Sequence, residues 1–353
     1  MRINFNRKLV MADGEVILGN AFGSDEEVIC EVVFQTAKTG FQDVLTDPDH
    51  CNQIVVMTHD IADSHEISHD GYDAIGVSGL IVNKHCQHID RFLKEKNIAG
   101  LCDVDTNTLT EKIRRDGVMY GIIVDFDVSD EDALVRLVSA PHVTNHVRQV
   151  SPKEAYTVFV ENKKFRVALI AFTAKRGIVS ELTARGCEVV VFPYNASVAE
   201  IEAVKPDGIA LSSGPGDPSD LPELSPVIRE LQAKYPLFGV CLGHQLFAIA
   251  NGAKTSKMKF GHRGEDVLVK DIPTGKVLST FQNHGYHVDI GSLAGTDLEI
   301  TQYAIDDGSI EGLRHKKYPA FTVQYHPEAS HGPKDSNYLF DLFVESLRPE
   351  VDL

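Results

Sequence analysis

Cys241 lies in a short glycine-flanked segment, Gly239-Val-Cys-Leu-Gly243, between an apolar run and a helix-like stretch. A nucleophile between two such glycines is typical of the tight strand-to-helix elbow that presents a reactive side chain. The positive end of the following helix would favour the thiolate, the reactive form of cysteine. The backbone N–H of Leu242 would point to where an oxyanion forms. A buried structural cysteine is the alternative interpretation.

His326 and Glu328 could supply the base that a cysteine nucleophile needs. They end an apolar run as His-Pro-Glu. Residues two apart on an extended segment point to the same side, so Glu328 could hold one ring nitrogen while the other faces the sulfur. The chain has 15 histidines, so this pair means little alone. Its position directly after an apolar strand favours a catalytic role.

Gly214-Pro-Gly216 follows another apolar run, within Leu-Ser-Ser-Gly-Pro-Gly-Asp-Pro. Such a turn permits close backbone approach and a donated N–H, as an oxyanion site requires. Taken alone, the segment is better interpreted as an ordinary β-turn.

The segments around these residues alternate between strand-like and helix-like patterns after Lys164. Strands are predicted at residues 165–172, 188–192, 208–211 and 237–240, with helices at 177–185 and 198–204. This alternation predicts a doubly wound α/β domain with a mainly parallel sheet. The functional site of such a sheet lies at the carboxyl ends of its strands.

The first part of the chain has a different pattern, which predicts a mixed α+β domain. A hairpin is predicted with Asp13-Gly14 at its turn, because Asp-Gly favours tight hairpin turns. Further strands are predicted at residues 30–35, 53–58, 76–82 and 119–124, and helices at 105–115 and 130–138. We therefore expect an N-terminal domain over residues 1–150, a linker over 151–164 and the α/β domain over 165–353.

The composition limits the classes of partner. The formal net charge is −17, which argues against affinity for nucleic acid or anionic membranes. No apolar run reaches the roughly 18 residues of a membrane span, and the N-terminus lacks the apolar core of a signal peptide. Six cysteines without CxxC spacing indicate reduced thiols. We expect a cytoplasmic protein with neither a nucleic-acid nor a membrane partner.

His85-Cys-Gln-His88 is the centre of a histidine- and cysteine-rich part of the N-terminal region. Its residue types could ligate a metal. On an isolated strand or loop such a group is more often polar surface, so no metal site is predicted.

The chemical motifs together resemble the class I glutamine amidotransferases. The segments that carry the resemblance are Ser-Ser-Gly-Pro-Gly-Asp-Pro, Gly-Val-Cys-Leu-Gly-His-Gln and Tyr-His-Pro-Glu-Ala-Ser, in that order. The resemblance implies that Cys241 attacks the carboxamide of glutamine, with His326 as general base and acid and Glu328 orienting it. Ammonia leaves, and a thioester is hydrolysed to glutamate. The implied glutamine and oxyanion contacts are Gly214, Gly216, Leu242 and Gln245.

A narrower resemblance, to the small glutaminase subunit of carbamoyl phosphate synthetase, covers nearly the whole chain. It rests on residues 32–36, 39–48, 53–55, 103–110, 252–255, 257–262 and 282–286. It implies further glutamine contacts at Asn283, Gly285 and Tyr286. It also implies a large partner subunit that uses ATP, magnesium and bicarbonate and receives ammonia through a passage, with no cofactor on this chain. Arginine and pyrimidine supply are both left open.

Several positions depart from that family's usual pattern. Asp49 replaces a serine near the glutamine site, Ser213 replaces an asparagine, and residues 59–63, 171–177 and 264–268 also differ. None removes a member of the Cys-His-Glu triad. They indicate a divergent member, and two alternatives stay open: a glutaminase serving a different synthetase, and a catalytically silent regulatory subunit.

Overall fold

The computed structural model describes residues 5–61, 76–141, 143–144, 146–329 and 333–348. The chain divides into two compact units, Met1–Val143 and Thr144–Leu353. Of the predicted features, part of the departing segment 59–63 and the serine that ends the His-Pro-Glu-Ala-Ser motif lie outside the described residues.

The N-terminal unit is a closed barrel with helices. Its strands are β1 (Arg7–Met11), β2 (Val16–Gly23), β3 (Val28–Gln35), β4 (Gln53–Met57), β5 (Gly79–Ile81), β6 (Ala99–Cys102) and β7 (Met119–Asp125). Its helices are α1 (Phe41–Thr46), α2 (Gln87–Glu95), α3 (Thr106–Asp116) and α4 (Asp130–Ser139). The strand order is β1-β2-β6-β5-β4-β3-β7, with β7 pairing back to β1. Closure gives each of these described strands a neighbour on both sides, which sequence patterning did not predict.

Local signals in this unit acted as predicted. The hairpin of β1 and β2 turns at Asp13-Gly14, where Gly14 has a φ of 87° and the Asp13 carboxylate accepts the N–H of Glu15. Helix α3 begins after Asp105, whose side chain accepts the N–H of Thr108, and it ends before Gly117. The two caps satisfy backbone groups that the helix itself leaves unpaired.

The C-terminal unit is built on a ten-stranded sheet. Its strands are β8 (Tyr156–Val158), β9 (Phe165–Ala171), β10 (Cys187–Pro193), β11 (Gly208–Leu211), β12 (Leu237–Val240), β13 (Thr255–Asp271), β14 (Val277–Val288), β15 (Leu298–Ala304), β16 (Ile310–His315) and β17 (Ala320–Val323). Its helices are α5 (His146–Val150), α6 (Gly177–Ala184), α7 (Val198–Ala203), α8 (Leu224–Gln232), α9 (Leu242–Ala250) and α10 (Tyr338–Ser346).

The centre of this sheet is parallel, as predicted. Strands β10, β9, β11, β12 and β17 pair side by side in parallel. Their residues are buried alternately in two apolar clusters, one on each face, because helices cover both sides. Helices α8 and α9 contribute to one cluster, and α6 and α10 to the other.

Two features of the sheet were not predicted. Beyond β17 it continues through β16, β15, β13 and β14, all antiparallel to their neighbours. The segment 151–164, expected to be a linker, contributes β8, which pairs antiparallel with β10 as the other edge strand. Strand β8 is only three residues long and Tyr156 is exposed, so no alternation of buried residues marked it in the sequence.

Candidate active site

Cys241 stands between β12 and α9 with a φ of 52° and a ψ of −105°. A positive φ on a residue other than glycine is a strained conformation that surrounding structure must hold in place. Here the N–H of Cys241 donates to the carbonyl of Val323 at 2.8 Å, and its carbonyl accepts from the N–H of Gln245 at 3.1 Å. The side chain is 2% exposed. The predicted elbow is therefore present, with the sulfur at the start of a helix.

The glycines of the elbow are required by close packing. A Cβ on Gly239 would lie 2.8 Å from Cγ2 of Thr322, and one on Gly243 would lie 2.7 Å from the carbonyl oxygen of Leu211. The N–H of Gly243 also donates to the carbonyl of Ser212 at 3.0 Å. The elbow thus has no room for larger residues, and it is hydrogen-bonded directly to the Gly-Pro-Gly loop.

That loop packs against the side chain of Leu242, and the roles of Gly214 and Leu242 as oxyanion donors stay predictions. A Cβ on Gly214 would lie 2.6 Å from Cδ2 of Leu242 and 2.7 Å from Cβ of Phe172, so the loop has no room for a side chain at this position. Gly216 has a φ of 91°, a conformation that favours glycine. The hydroxyl of Ser212 holds the loop by donating to the carbonyl of Ser213 at 2.7 Å and accepting the N–H of Phe172 at 2.8 Å.

His326 and Glu328 follow β17, the parallel neighbour of β12, so they reach the same end of the sheet as Cys241. Nδ1 of His326 lies 2.9 Å from Oε1 of Glu328, and both side chains are buried. Burial lowers the pKa of His326, but Glu328 and Cys241 outweigh it and raise the pKa to about 10. Burial raises the pKa of Glu328, yet His326 brings it below its usual value. The arrangement favours a protonated imidazolium at His326.

The predicted glutamine contacts converge on the same place. Gln245, in the first turn of α9, donates from Nε2 to the carbonyl of Tyr286 at 2.8 Å and to Oε1 of Gln324 at 3.0 Å. The carbonyl of Asn283 lies 3.9 Å from Sγ of Cys241. Gly285 lies between Asn283 and Tyr286 on β14. Their roles in glutamine binding stay predictions.

Gln324 is a site residue that sequence reasoning missed. Its Nε2 lies 3.7 Å from Sγ of Cys241, and the side chain is fully buried. It stands two residues before His326, so the alternation of an extended segment could have placed both side chains on one side.

Asp49, the predicted departure near the glutamine site, belongs to the N-terminal unit. It is buried in a short 3-10 turn, where its N–H donates to the side chain of Asp47 at 3.1 Å. The structure of that unit explains how the turn is held, and the effect of the carboxylate on glutamine stays a prediction.

The histidine-rich segment of the N-terminal unit does not bring metal-ligating atoms together among the residues that the structure describes. His85 and His88 are exposed, Cys86 is buried, and the His85 ring packs edge-on against Phe22 at 5.4 Å. His65 and His69, also part of that region, lie outside the described residues. Nor does any helix in the described part of the chain have the length and apolar character needed to cross a membrane.

Two family models match this chain. The model for glutamine amidotransferase class-I matches residues 169–346, and the model for the carbamoyl-phosphate synthase small chain, CPSase domain, matches residues 9–123. The C-terminal unit, with its elbow and His-Glu pair, is therefore a class-I glutamine amidotransferase domain.

Known relatives span nearly the whole chain. It is 48% identical over 352 residues to the carbamoyl phosphate synthase small chain of Bacillus cereus, covering 97% of this chain and 96% of that protein. Identity and coverage are the same for the carbamoyl phosphate synthase pyrimidine-specific small chain of Bacillus subtilis. The solved structure of a glutamine amidotransferase from Thermotoga maritima is 18% identical with a TM-score of 0.38, covering 47% of this chain and 76% of that one. The chain belongs to the carbamoyl phosphate synthase small-chain family.

Proposed function

We propose that this chain hydrolyses glutamine to glutamate and ammonia at Cys241 and delivers the ammonia to a large subunit that makes carbamoyl phosphate from bicarbonate and ATP. The observation that carries the proposal is the strained Cys241 elbow beside the buried His326–Glu328 pair. Membership of the small-chain family supports the choice of product.

The first half of the proposed reaction uses the elbow and the His326–Glu328 pair. The thiolate of Cys241 attacks the carboxamide carbon of glutamine, and the N–H groups of Gly214 and Leu242 stabilise the oxyanion that forms. His326 then donates its proton to the leaving nitrogen, so ammonia departs and a thioester remains on the sulfur. Glu328 keeps the ring oriented and stabilises its positive charge.

The second half regenerates the enzyme. His326, now neutral, accepts a proton from water, and the resulting hydroxide attacks the thioester carbon. The same N–H groups stabilise the second oxyanion, and the thiolate leaves as glutamate forms. Buried surroundings keep the sulfur shielded from bulk water, since Cys241 is 2% exposed.

The proposal also covers the large partner subunit, the cellular location and the biosynthetic pathway that the chain supplies. No cofactor is proposed on this chain, because the chemistry needs only the triad; ATP and magnesium belong to the large subunit. A cytoplasmic location fits six free cysteines. Arginine and pyrimidine synthesis both consume carbamoyl phosphate, and the name of the Bacillus subtilis relative favours pyrimidine supply.

The proposal is tested by measuring glutamate release from glutamine with the wild type and Cys241→Ala, each with and without the co-expressed large subunit. We expect wild type to be active, most strongly with the partner, and Cys241→Ala to be inactive. Cys187→Ala is the matched control, because Cys187 is a buried cysteine of the same sheet outside the site. Equal rates for wild type and Cys241→Ala would instead indicate a silent regulatory subunit. Glutaminase activity without carbamoyl phosphate formation would indicate a different synthetase.

A further inference from the structure

A buried group of polar side chains lies in the antiparallel part of the C-terminal sheet, next to the glutamine site. We call it the Gln282 cluster, and it comprises His262 on β13, Gln282 and His284 on β14, and Glu311 on β16. Gln282 and Glu311 are fully buried, and the side chain of His262 is 12% exposed. Burying so many polar groups is costly unless each is hydrogen-bonded, so their partners define what the cluster does.

The amide of Gln282 is the centre of the cluster, and its orientation is fixed by its neighbours. The hydroxyl of Thr280 donates to the carbonyl of Val267 at 2.8 Å, so its oxygen can only accept from Gln282. Nε2 of Gln282 therefore faces Thr280 at 3.1 Å, and it also donates to Oε2 of Glu311 at 2.9 Å. Oε1 must then be the atom that faces the two histidines.

His262 has oxygen acceptors at both ring nitrogens. Nδ1 lies 2.9 Å from Oε1 of Gln282, and Nε2 lies 3.0 Å from Oδ2 of Asp307. A neutral ring has one N–H, so only the imidazolium can donate to both. Oε1 of Glu311 lies 3.5 Å from Nδ1 and adds a second negative charge. His284 also faces an oxygen at each ring nitrogen, but two carboxylates lie within 3.5 Å of the ring nitrogens of His262 and can balance a charge there. The contacts therefore favour a buried cation at His262.

Electrostatics assign the positive charge to His262 rather than His284. Burial lowers the pKa of His262, but Glu311 and Asp307 outweigh it and raise the pKa to about 9. Burial, followed by the charge on His262, holds the pKa of His284 well below its usual value. The two rings are 5.2 Å apart between centroids, so a second charge there is unfavourable. Asp307, Glu311 and His284 are the titratable groups that face His262 among the described residues, and the charge of Arg263 acts on His284.

The cluster holds the segment of β14 that lines the glutamine site. Nε2 of His284 lies 2.8 Å from Oε1 of Gln282, and Nδ1 lies 2.8 Å from the carbonyl of Tyr286. That carbonyl also accepts from Gln245. Asn283, whose carbonyl lies beside the sulfur, stands between Gln282 and His284 in the chain. A shift of Gln282 would therefore move several glutamine contacts at once.

We propose that His262 is a positioning residue for glutamine binding: as an imidazolium between Asp307 and Glu311 it fixes Gln282, and through it residues 283–286 beside Cys241. The inference rests on the proposed glutaminase function. Its consequence is a glutamine affinity that depends on the proton of His262. When that proton is lost, Asp307 or Gln282 faces a ring nitrogen without a hydrogen, and the glutamine-binding segment loses its anchor.

The first test measures KM and kcat for glutamate release as functions of pH, using the full-length chain with its large subunit. For the wild type we expect KM to rise above pH 9, with kcat changing less. In Glu311→Gln the rise should begin at least about one pH unit lower, because removing one carboxylate makes the imidazolium that much easier to deprotonate. His262→Asn should raise KM about tenfold or more at neutral pH, because Gln282 loses a charged donor. An unchanged KM–pH profile in Glu311→Gln would overturn the proposal.

The matched control is Glu299→Gln, which removes an exposed carboxylate of β15 that pairs with Arg314. It should leave both KM and its pH dependence as in the wild type. Glu311→Gln keeps the shape of the side chain, so it remains informative if His262→Asn does not fold.

A second measurement does not depend on activity. In NMR spectra of protein labelled with nitrogen-15 at histidine, the ring-nitrogen signals of His262 should titrate with a midpoint near pH 9. These signals should be absent from the spectrum of His262→Asn. If the wild type shows this titration but no glutaminase activity, the proposed glutaminase function is refuted, while the assignment of a buried imidazolium at His262 still holds. A neutral His262 at pH 7 would overturn the inference itself. So would a stoichiometric metal ion lost in His262→Asn, because the ligand atoms of His262, His284 and Glu311 lie within 4.8 Å of one another.

Discussion

A Cβ atom on Gly177 would lie 2.7 Å from Cγ of Glu328, so the first turn of α6 packs directly against the carboxylate that orients His326. The start of helix α6 therefore limits the space available to the Glu328 side chain. Gly177 is one of the positions where this chain departs from its family's usual pattern, and its lack of a side chain matches the space that Glu328 occupies.

Gly177→Ala should lower kcat for glutamate release while leaving the fold intact. The added methyl displaces Glu328 and turns His326 away from the sulfur, and a misplacement of about 1 Å can cost about 100-fold in rate. Alanine favours the helix by about 1 kcal/mol, so thermal stability should not fall greatly. Steady-state kinetics and a melting curve check this. The control is Gly291→Ala, since a Cβ there meets nothing within 4 Å. Equal effects of the two variants on kcat would show that contact between residue 177 and Glu328 does not position the carboxylate.

Glu328→Gln should lower the pH up to which His326 stays protonated. Burial lowers the pKa of His326, and Glu328 and Cys241 together raise it to about 10, so loss of the Glu328 charge brings the pKa down. The thiolate then loses its imidazolium partner at a lower pH. The rate of Cys241 alkylation by iodoacetamide, measured across pH, should show the shift. Glu230→Gln, at an exposed carboxylate paired with Lys234, should show no shift.

Ser212 and Ser213 should differ in what their hydroxyls contribute to stability. The Ser212 hydroxyl makes two buried hydrogen bonds, so Ser212→Ala should cost about 1–3 kcal/mol of unfolding free energy. The buried Ser213 hydroxyl has no hydrogen-bond partner among the described residues, so Ser213→Ala should cost less than about 0.5 kcal/mol. Denaturant unfolding of both variants measures the difference. A larger loss for Ser213→Ala would contradict the assignment.

His244 should make the C-terminal unit sensitive to acid. Burial lowers the pKa of this ring to about 3, while in the unfolded chain it titrates near 6.5. The resulting stability is present above pH 6.5 and is lost as the pH falls towards 3, because only the unfolded state gains the proton. Between pH 7 and pH 5 the loss should be about 2 kcal/mol of unfolding free energy. His244→Gln, which can keep the hydrogen bond to Thr322, should remove that part of the loss, whereas His85→Gln, at an exposed histidine, should not.

The sequence predicted best those features whose residues lie close together in the chain. The elbow at Cys241 and the pair of His326 and Glu328 are each encoded within a few positions, and the parallel strands are marked by continuous apolar runs. The Gln282 cluster was not predictable, because His262 and Glu311 meet only through the pairing of distant antiparallel strands. Closure of the N-terminal barrel was missed for the same reason, since nothing local specifies that β7 returns to β1.

The position of β17 has a consequence for how the protein is made. This strand is synthesised last of the ten, yet it lies in the interior of the sheet between β12 and β16. Until β17 inserts, a chain still emerging from the ribosome lacks the carbonyl of Val323 that accepts the N–H of Cys241, and the cysteine has no base because His326 follows that strand. Pairings between such distant segments form slowly. We therefore expect release of ammonia to begin only when assembly is nearly complete, and truncated chains that end before β17 should be inactive even though they contain every residue of the elbow.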